Sequence, residues 1–163
     1  DIGTGTGCIP ISLKTNLSQA NVSAIDVSEQ ALEVAKRNAT ANKVEINFIL
    51  TNILEVEDLN QHFDIIVSNP PYVRNLEKQE IKKNVLNYEP HLALFVEDTD
   101  ALLFYRKIAQ LALKNLSPNG LLFFEINQYL GKETVELLEN LGFKNIELKK
   151  DIYGNDRMIR CSI

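Results

Sequence analysis

The sequence predicts an α/β fold: a doubly wound, mostly parallel sheet with an antiparallel hairpin at its C-terminal edge. Three observations carry that expectation. Short apolar runs rich in β-branched residues recur along the 163 residues. Stripes of apolar residues at the helical period lie between them. Strands alternating with helices require crossover connections, which make neighbouring strands parallel and cover both faces of the sheet. The last two runs break the alternation, because their connection is too short for a helix.

The runs fall at Val22–Asp26, Ile46–Leu50, Asp64–Ser68, Gly120–Ile126, Ile146–Lys149 and Met158–Ile163. Between Ser28 and Asn42, the residues Ala31, Leu32, Val34, Ala35 and Ala39 form one helical stripe, with Ser28 as the N-cap. Leu103, Ile108, Leu111 and Ala112 repeat the pattern from Asp100 to Leu116, and Ser117-Pro118-Asn119-Gly120 stops it. A further helix is predicted over Lys132–Leu141, closed by Gly142. The final hairpin turns through Tyr153-Gly154-Asn155-Asp156. From Val73 to about Thr99 there is no clean periodicity, a signature of lids and binding loops. No internal repeat or second domain is visible, so 1–163 reads as one domain.

Composition narrows the function classes. Hydrophobic residues at 45% and charged residues at 24% make an ordinary globule. No apolar run reaches the roughly 18–20 residues of a membrane span, and no signal-peptide pattern opens the chain. The expectation is a cytoplasmic protein without a membrane partner. Cys8 and Cys161 lack metal-ligand spacing and read as reduced thiols, Cys8 as a small core residue. His62 and His91 have no partner spacing for a metal or a triad, and no metal is expected. Seventeen basic against twenty-two acidic residues leave a net charge of −5. That balance argues against direct nucleic-acid binding, which favours a basic face.

The chain opens on DIGTGTG. Such turns follow a buried strand, so the chain is expected to be a fragment whose first strand precedes Asp1. Glycines at 3, 5 and 7 allow a sharp turn and close approach to a ligand. A dinucleotide fingerprint needs glycine at 8, where this chain has Cys8. Nineteen residues after Gly7, Asp26 closes the next strand, where an acid reaches a ribose diol in doubly wound sheets. This pair of features resembles the S-adenosylmethionine site of class I, Rossmann-like methyltransferases. The resemblance implies that the backbone across Gly3, Thr4, Gly5, Thr6 and Gly7 contacts the methionine portion of the cofactor. It implies Asp1 near the cofactor's amino group and Asp26 on the ribose hydroxyls. Where the family places an acid against the adenine amine, this chain has Asn52, whose side-chain carbonyl can still accept. Ile53 beside it would wall the ring.

A second motif lies in DIIVSNPPYV, residues 64–73. A buried strand runs into Asn69-Pro70-Pro71-Tyr72, where two prolines remove two donors and fix two φ angles. The lone pair of a planar –NH2 group is delocalised, so it attacks a methyl sulfonium poorly. Two acceptors gripping its hydrogens orient it, and the Asn69 side-chain oxygen and Pro70 carbonyl can supply them. Tyr72 can pack its ring on the flat substrate. The tetrapeptide resembles that of methyltransferases acting on amide or exocyclic amine nitrogens.

Further residues narrow the resemblance. Tyr88-Glu89-Pro90, Leu92-Ala93-Leu94-Phe95, Phe104-Tyr105-Arg106, Asp151 and Tyr153-Gly154-Asn155-Asp156-Arg157-Met158 resemble the HemK family. Those enzymes are protein-(glutamine-N5) methyltransferases of peptide-chain release factors. The similarity runs from Asp1 to the C-terminal hairpin. It implies a catalytic domain at 1–163, with a helical N-terminal domain and the first strand outside it. It implies methyl transfer from S-adenosyl-L-methionine, leaving S-adenosyl-L-homocysteine, to the glutamine of a Gly-Gly-Gln loop. Asn69, Pro70, Pro71 and Tyr72 would bind that substrate. Glu89 would either line its pocket or form a structural ion pair. Arg157 would either anchor the hairpin to the lid or play a structural part, and Asn127 stands where the family often has glycine or another residue. Two other classes stay open: a nucleic-acid exocyclic-amine methyltransferase and a non-catalytic cofactor-binding module.

Overall fold

The computed structural model describes residues 1–74, 95–96 and 100–163. The chain divides into two compact units, Asp1–Val56 and Glu57–Ile163.

In the first unit the glycine-rich turn leads into α1 (Cys8–Asn16), followed by β1 (Ser23–Asp26), α2 (Glu29–Ala41) and β2 (Asn47–Leu50). Strands β1 and β2 pair in parallel from Ser23↔Asn47 to Asp26↔Leu50. Ile2 makes a parallel bridge to Ile25, so the opening residues run alongside β1. α2 forms where the apolar stripe predicts it and buries Leu32, Ala35 and Ala39. Its N-cap is Ser28, whose hydroxyl accepts from the Ala31 N–H at 3.2 Å. α1 is a helix that apolar periodicity does not announce. It is short, and Pro10 in its first turn reads as a breaker. A proline is tolerated there because first-turn N–H groups have no helical partner.

The second unit holds β3 (Phe63–Ser68), β4 (Val73–Arg74), β5 (Phe95–Val96), α3 (Leu103–Asn115), β6 (Leu116–Glu125), α4 (Gly131–Leu141), β7 (Lys144–Lys150) and β8 (Asp156–Ser162). Its four-stranded sheet runs β3-β6-β8-β7. β3 and β6 are parallel, and β8 is antiparallel to both β6 and β7. The C-terminal hairpin therefore forms as expected, with Leu148 opposite Ile159. The short β4 and β5 pair in parallel through Val73↔Phe95 and Arg74↔Val96.

Two boundaries differ most from expectation. α3 starts at Leu103 rather than Asp100, where the Asp100 carboxylate takes both arms of the Arg106 guanidinium at 2.9 Å. Ser117-Pro118-Asn119-Gly120 lies within β6, as a bulge. Leu116 pairs with Phe63, and the register then jumps to Leu121 opposite Ile65.

The core of this unit includes Tyr105, Ile108, Ala109, Leu111 and Ala112 of α3, Leu122 and Phe124 of β6, and Leu138, Ile159 and Cys161. The Tyr105 and Phe124 rings meet edge-on, with centroids 5.3 Å apart. Burial pushes the Cys161 thiol up to about 12. Cys8, expected in the core, is exposed instead; it is the first residue of α1, and that helix buries Pro10 and Ile11. Among the described residues no helix is long and apolar enough to cross a membrane.

Candidate active site

The glycine turn of the first unit is built by backbone geometry. Gly3, Gly5 and Gly7 take φ of 74°, 54° and 84°, a region costly for residues with a Cβ. The N–H groups of Gly3 and Thr4 both donate to the Ile25 carbonyl, at 2.9 and 3.0 Å. The Asn38 side chain of α2 donates to the Thr6 carbonyl at 2.9 Å. Asp26, at the end of β1, accepts from the Gly5 N–H at 2.8 Å and from the Ser28 N–H at 2.9 Å. Its carboxylate has lone pairs left for further donors.

A cofactor with ammonium and hydroxyl donors fits this turn. Both carboxylate oxygens of Asp1 and the Thr4 hydroxyl are buried with no hydrogen-bond partner among the described residues. Buried polar atoms in that state are costly unless a ligand or water satisfies them. A methyl group added at Gly5 would meet nothing within 4 Å, so one side of the turn is open. After β2, the Asn52 side chain accepts from the Leu54 N–H at 3.1 Å and donates to Glu55 at 2.9 Å. Asn52 thus shapes its own turn, and Ile53 is buried beside it.

In the second unit β3 delivers Asn69–Tyr72 beyond its carboxyl end. Ser68, the last residue of the strand, is buried; Asn69 is exposed and Pro70 is buried. Tyr72 is tied down through both its hydroxyl and its carbonyl. Its hydroxyl donates to Glu125 at 3.0 Å, and its carbonyl accepts from the Asn127 side chain at 2.9 Å. Burial and the adjacent Glu125 charge push the Tyr72 phenol up to about 12. Arg157 donates to the Ile126 carbonyl at 3.3 Å and pairs with Asp151 at 3.4 Å, joining the hairpin to the end of β6.

Sequence reading missed Glu125 as a partner of Tyr72 and gave Asn127 no role. Both lie more than fifty positions from Tyr72, and only the β3–β6 pairing brings them near. Arg157 holds the hairpin to the Ile126 carbonyl, a structural role, and the lid to which it could also anchor lies outside the described residues. Glu89 lies outside the described residues, as do Tyr88, Pro90 and most of the non-periodic stretch.

The parallel strands, the glycine turn and the acid ending β1 define a chain of the class I methyltransferase fold. A crystal structure of a methyltransferase from Pyrococcus furiosus superposes with a TM-score of 0.69 at 20% identity, covering 99% of this chain and 73% of that one. A family model, the methyltransferase small domain, matches residues 1–92, and the chain belongs to that family. It is 74% identical over 162 residues to the release factor glutamine methyltransferase of Flavobacterium psychrophilum, covering 99% of this chain and 57% of the relative. To the protein of the same name from Bacteroides thetaiotaomicron it is 46% identical over 163 residues, 99% of this chain and 59% of the relative. The expected resemblance to the HemK family is borne out in these names. The chain spans a little under three fifths of the length of these curated relatives.

Proposed function

We propose that the protein containing this chain transfers a methyl group from S-adenosylmethionine to the side-chain amide nitrogen of the glutamine in the Gly-Gly-Gln loop of peptide-chain release factors, in the cytoplasm. The observation that carries this reading is 74% identity, over nearly the whole chain, to a protein named for that activity. The Asn69–Tyr72 segment at the carboxyl end of β3 supplies the chemistry.

The bound cofactor contributes an electrophilic methyl on a sulfonium. In the first unit, the unpartnered Asp1 carboxylate suits its ammonium group, and the remaining lone pairs of Asp26 suit its ribose hydroxyls. Backbone from Gly3 to Gly7, with Thr4 and Thr6, borders the methionine portion, and Asn52 and Ile53 border the adenine. In the second unit, the Asn69 side-chain oxygen and the Pro70 carbonyl each take one hydrogen of the glutamine amide. Holding both hydrogens fixes the nitrogen lone pair in one direction, a gain of orientation rather than of basicity. Pro71 fixes φ between these acceptors and Tyr72, whose ring packs against the flat amide. No strong general base is needed, because the nitrogen loses its proton after transfer.

Tritiated-methyl transfer by the full-length protein to purified release factor tests the reading. Incorporation is expected to vanish when the loop glutamine is changed; equal incorporation refutes the substrate. Asn69→Ala is expected to lower turnover about 100-fold or more while leaving cofactor affinity within a few fold.

A further inference from the structure

The Asn69–Tyr72 segment has a rigid interior and a poor hold on the sheet. Pro70 and Pro71 have no N–H to offer, so ladder bonding cannot fix the segment as it leaves β3. Locked φ angles preserve its internal shape but do not orient it. Contacts at its far end add to the orientation, two of them on the Tyr72 carbonyl and phenol.

The first comes from Asn127, which is 3% exposed. Its side-chain nitrogen donates to the Tyr72 carbonyl at 2.9 Å while its side-chain oxygen accepts from the Tyr129 N–H at 2.9 Å. A carbonyl on one side and an N–H on the other allow only one orientation of the amide. The Asn127 main chain is held as well: its N–H donates to the buried Tyr105 hydroxyl at 3.2 Å, and its carbonyl accepts from Leu130 at 3.0 Å. The second contact is the Tyr72 hydroxyl on Glu125 at 3.0 Å. Glu125 is the last residue of β6, paired there with Met158.

We propose that Asn127 and Glu125 are positioning residues for the methyl-acceptor site, holding Tyr72 by its carbonyl and by its phenol so that the Asn69 and Pro70 acceptors keep a fixed place relative to the sheet. The proposal rests on the function proposed above. A one-ångström displacement of either acceptor would spoil the alignment of the amide nitrogen, which affects turnover rather than cofactor binding. A residue without a side-chain donor at 127 leaves the Tyr72 carbonyl to find another partner, so this chain carries an anchor that glycine at that position would lack.

The test uses the full-length protein and purified release factor. Asn127→Asp puts an oxygen against the Tyr72 carbonyl oxygen and keeps the size of the side chain; Asn127→Gly only removes the donor. We expect kcat to fall about tenfold in Asn127→Asp and several-fold in Asn127→Gly and Glu125→Ala. Cofactor affinity by calorimetry should stay within twofold. Should Asn127→Asp fail to fold, Asn127→Gly carries the same split between turnover and affinity. Unchanged kcat, or losses of kcat and cofactor affinity in equal proportion, overturns the proposal. Wild-type protein inert toward release factor in the same series instead removes the underlying function, and the proposal with it.

Discussion

The backbone N–H of Gly5 donates to the Asp26 carboxylate across 2.8 Å, so the acid that ends β1 holds the glycine turn from within. Its other oxygen accepts from the Ser28 N–H at the entrance to α2. One carboxylate joins the turn, the strand end and the next helix. Asp26→Ala removes two charge-assisted bonds of ~1.5–3 kcal/mol each and the charge proposed to meet the ribose hydroxyls. Cofactor affinity of the full-length protein, measured by calorimetry, is expected to fall at least about tenfold. Affinity equal to wild type would restrict Asp26 to a structural role.

Gly5 and Gly7 separate binding from folding. Both have positive φ, but a Cβ on Gly7 would lie 3.0 Å from the Ala35 Cβ, whereas one on Gly5 meets nothing within 4 Å. Gly7→Ala is expected to destabilise the fold by ~2 kcal/mol or more, from left-handed strain plus the clash with α2. Gly5→Ala costs ~1–2 kcal/mol in strain alone and places a methyl group where the cofactor is expected. Its larger effect should fall on cofactor affinity. Urea denaturation beside cofactor titration distinguishes the two; identical profiles for both variants count against the open side of the turn as the cofactor's place.

Ser28→Ala tests the capping of α2. The hydroxyl satisfies the Ala31 N–H, and its loss should lower stability by ~1 kcal/mol. Turnover at a temperature well below melting should hold. A thermal midpoint equal to that of wild type would contradict the capping role.

The Tyr72 phenol gives a pH signature. Burial first, then the Glu125 charge, raises it to about 12, against an ordinary value of about 10. The folded state therefore favours the neutral phenol. Its stabilisation is complete below about pH 10 and is lost as pH climbs through about 12. An absorbance titration of wild type minus Tyr72→Phe should show one phenol ionising near the upper value. Glu125→Gln removes a negative neighbour and should move that ionisation downward. A difference band centred at the ordinary value would mean that Tyr72 is not buried against Glu125 in solution.

Much of the architecture was legible because it is periodic. The stripe Leu32, Ala35, Ala39 repeats at the helical period, and those three residues are the buried face of α2. The short connection between β7 and β8 excluded a crossover, and the hairpin followed. The glycine turn and Asp26 were legible through their spacing, which a turn between parallel strands imposes. α1 escaped because Pro10 reads as a stop unless the helix start is known. Cys8 escaped for a related reason, since the solvent side of an unpredicted helix cannot be assigned.

Contacts between distant elements were not written in any local pattern. Asn115 looks like a polar residue at a helix end, yet it is buried and bonds Leu59, Asp58 and Gln61. Glu125 and Asn127 look like the frayed end of a strand until β6 settles beside β3 and carries them to Tyr72. The sequence determined which segments are strands and helices, where the turn and the proline pair fall, and which chemistry those residues can perform. Tertiary structure decided which side chains hold them there. Periodicity is a property of neighbours in the chain, whereas a hydrogen bond across more than fifty residues exists only once packing has fixed the register of the sheet.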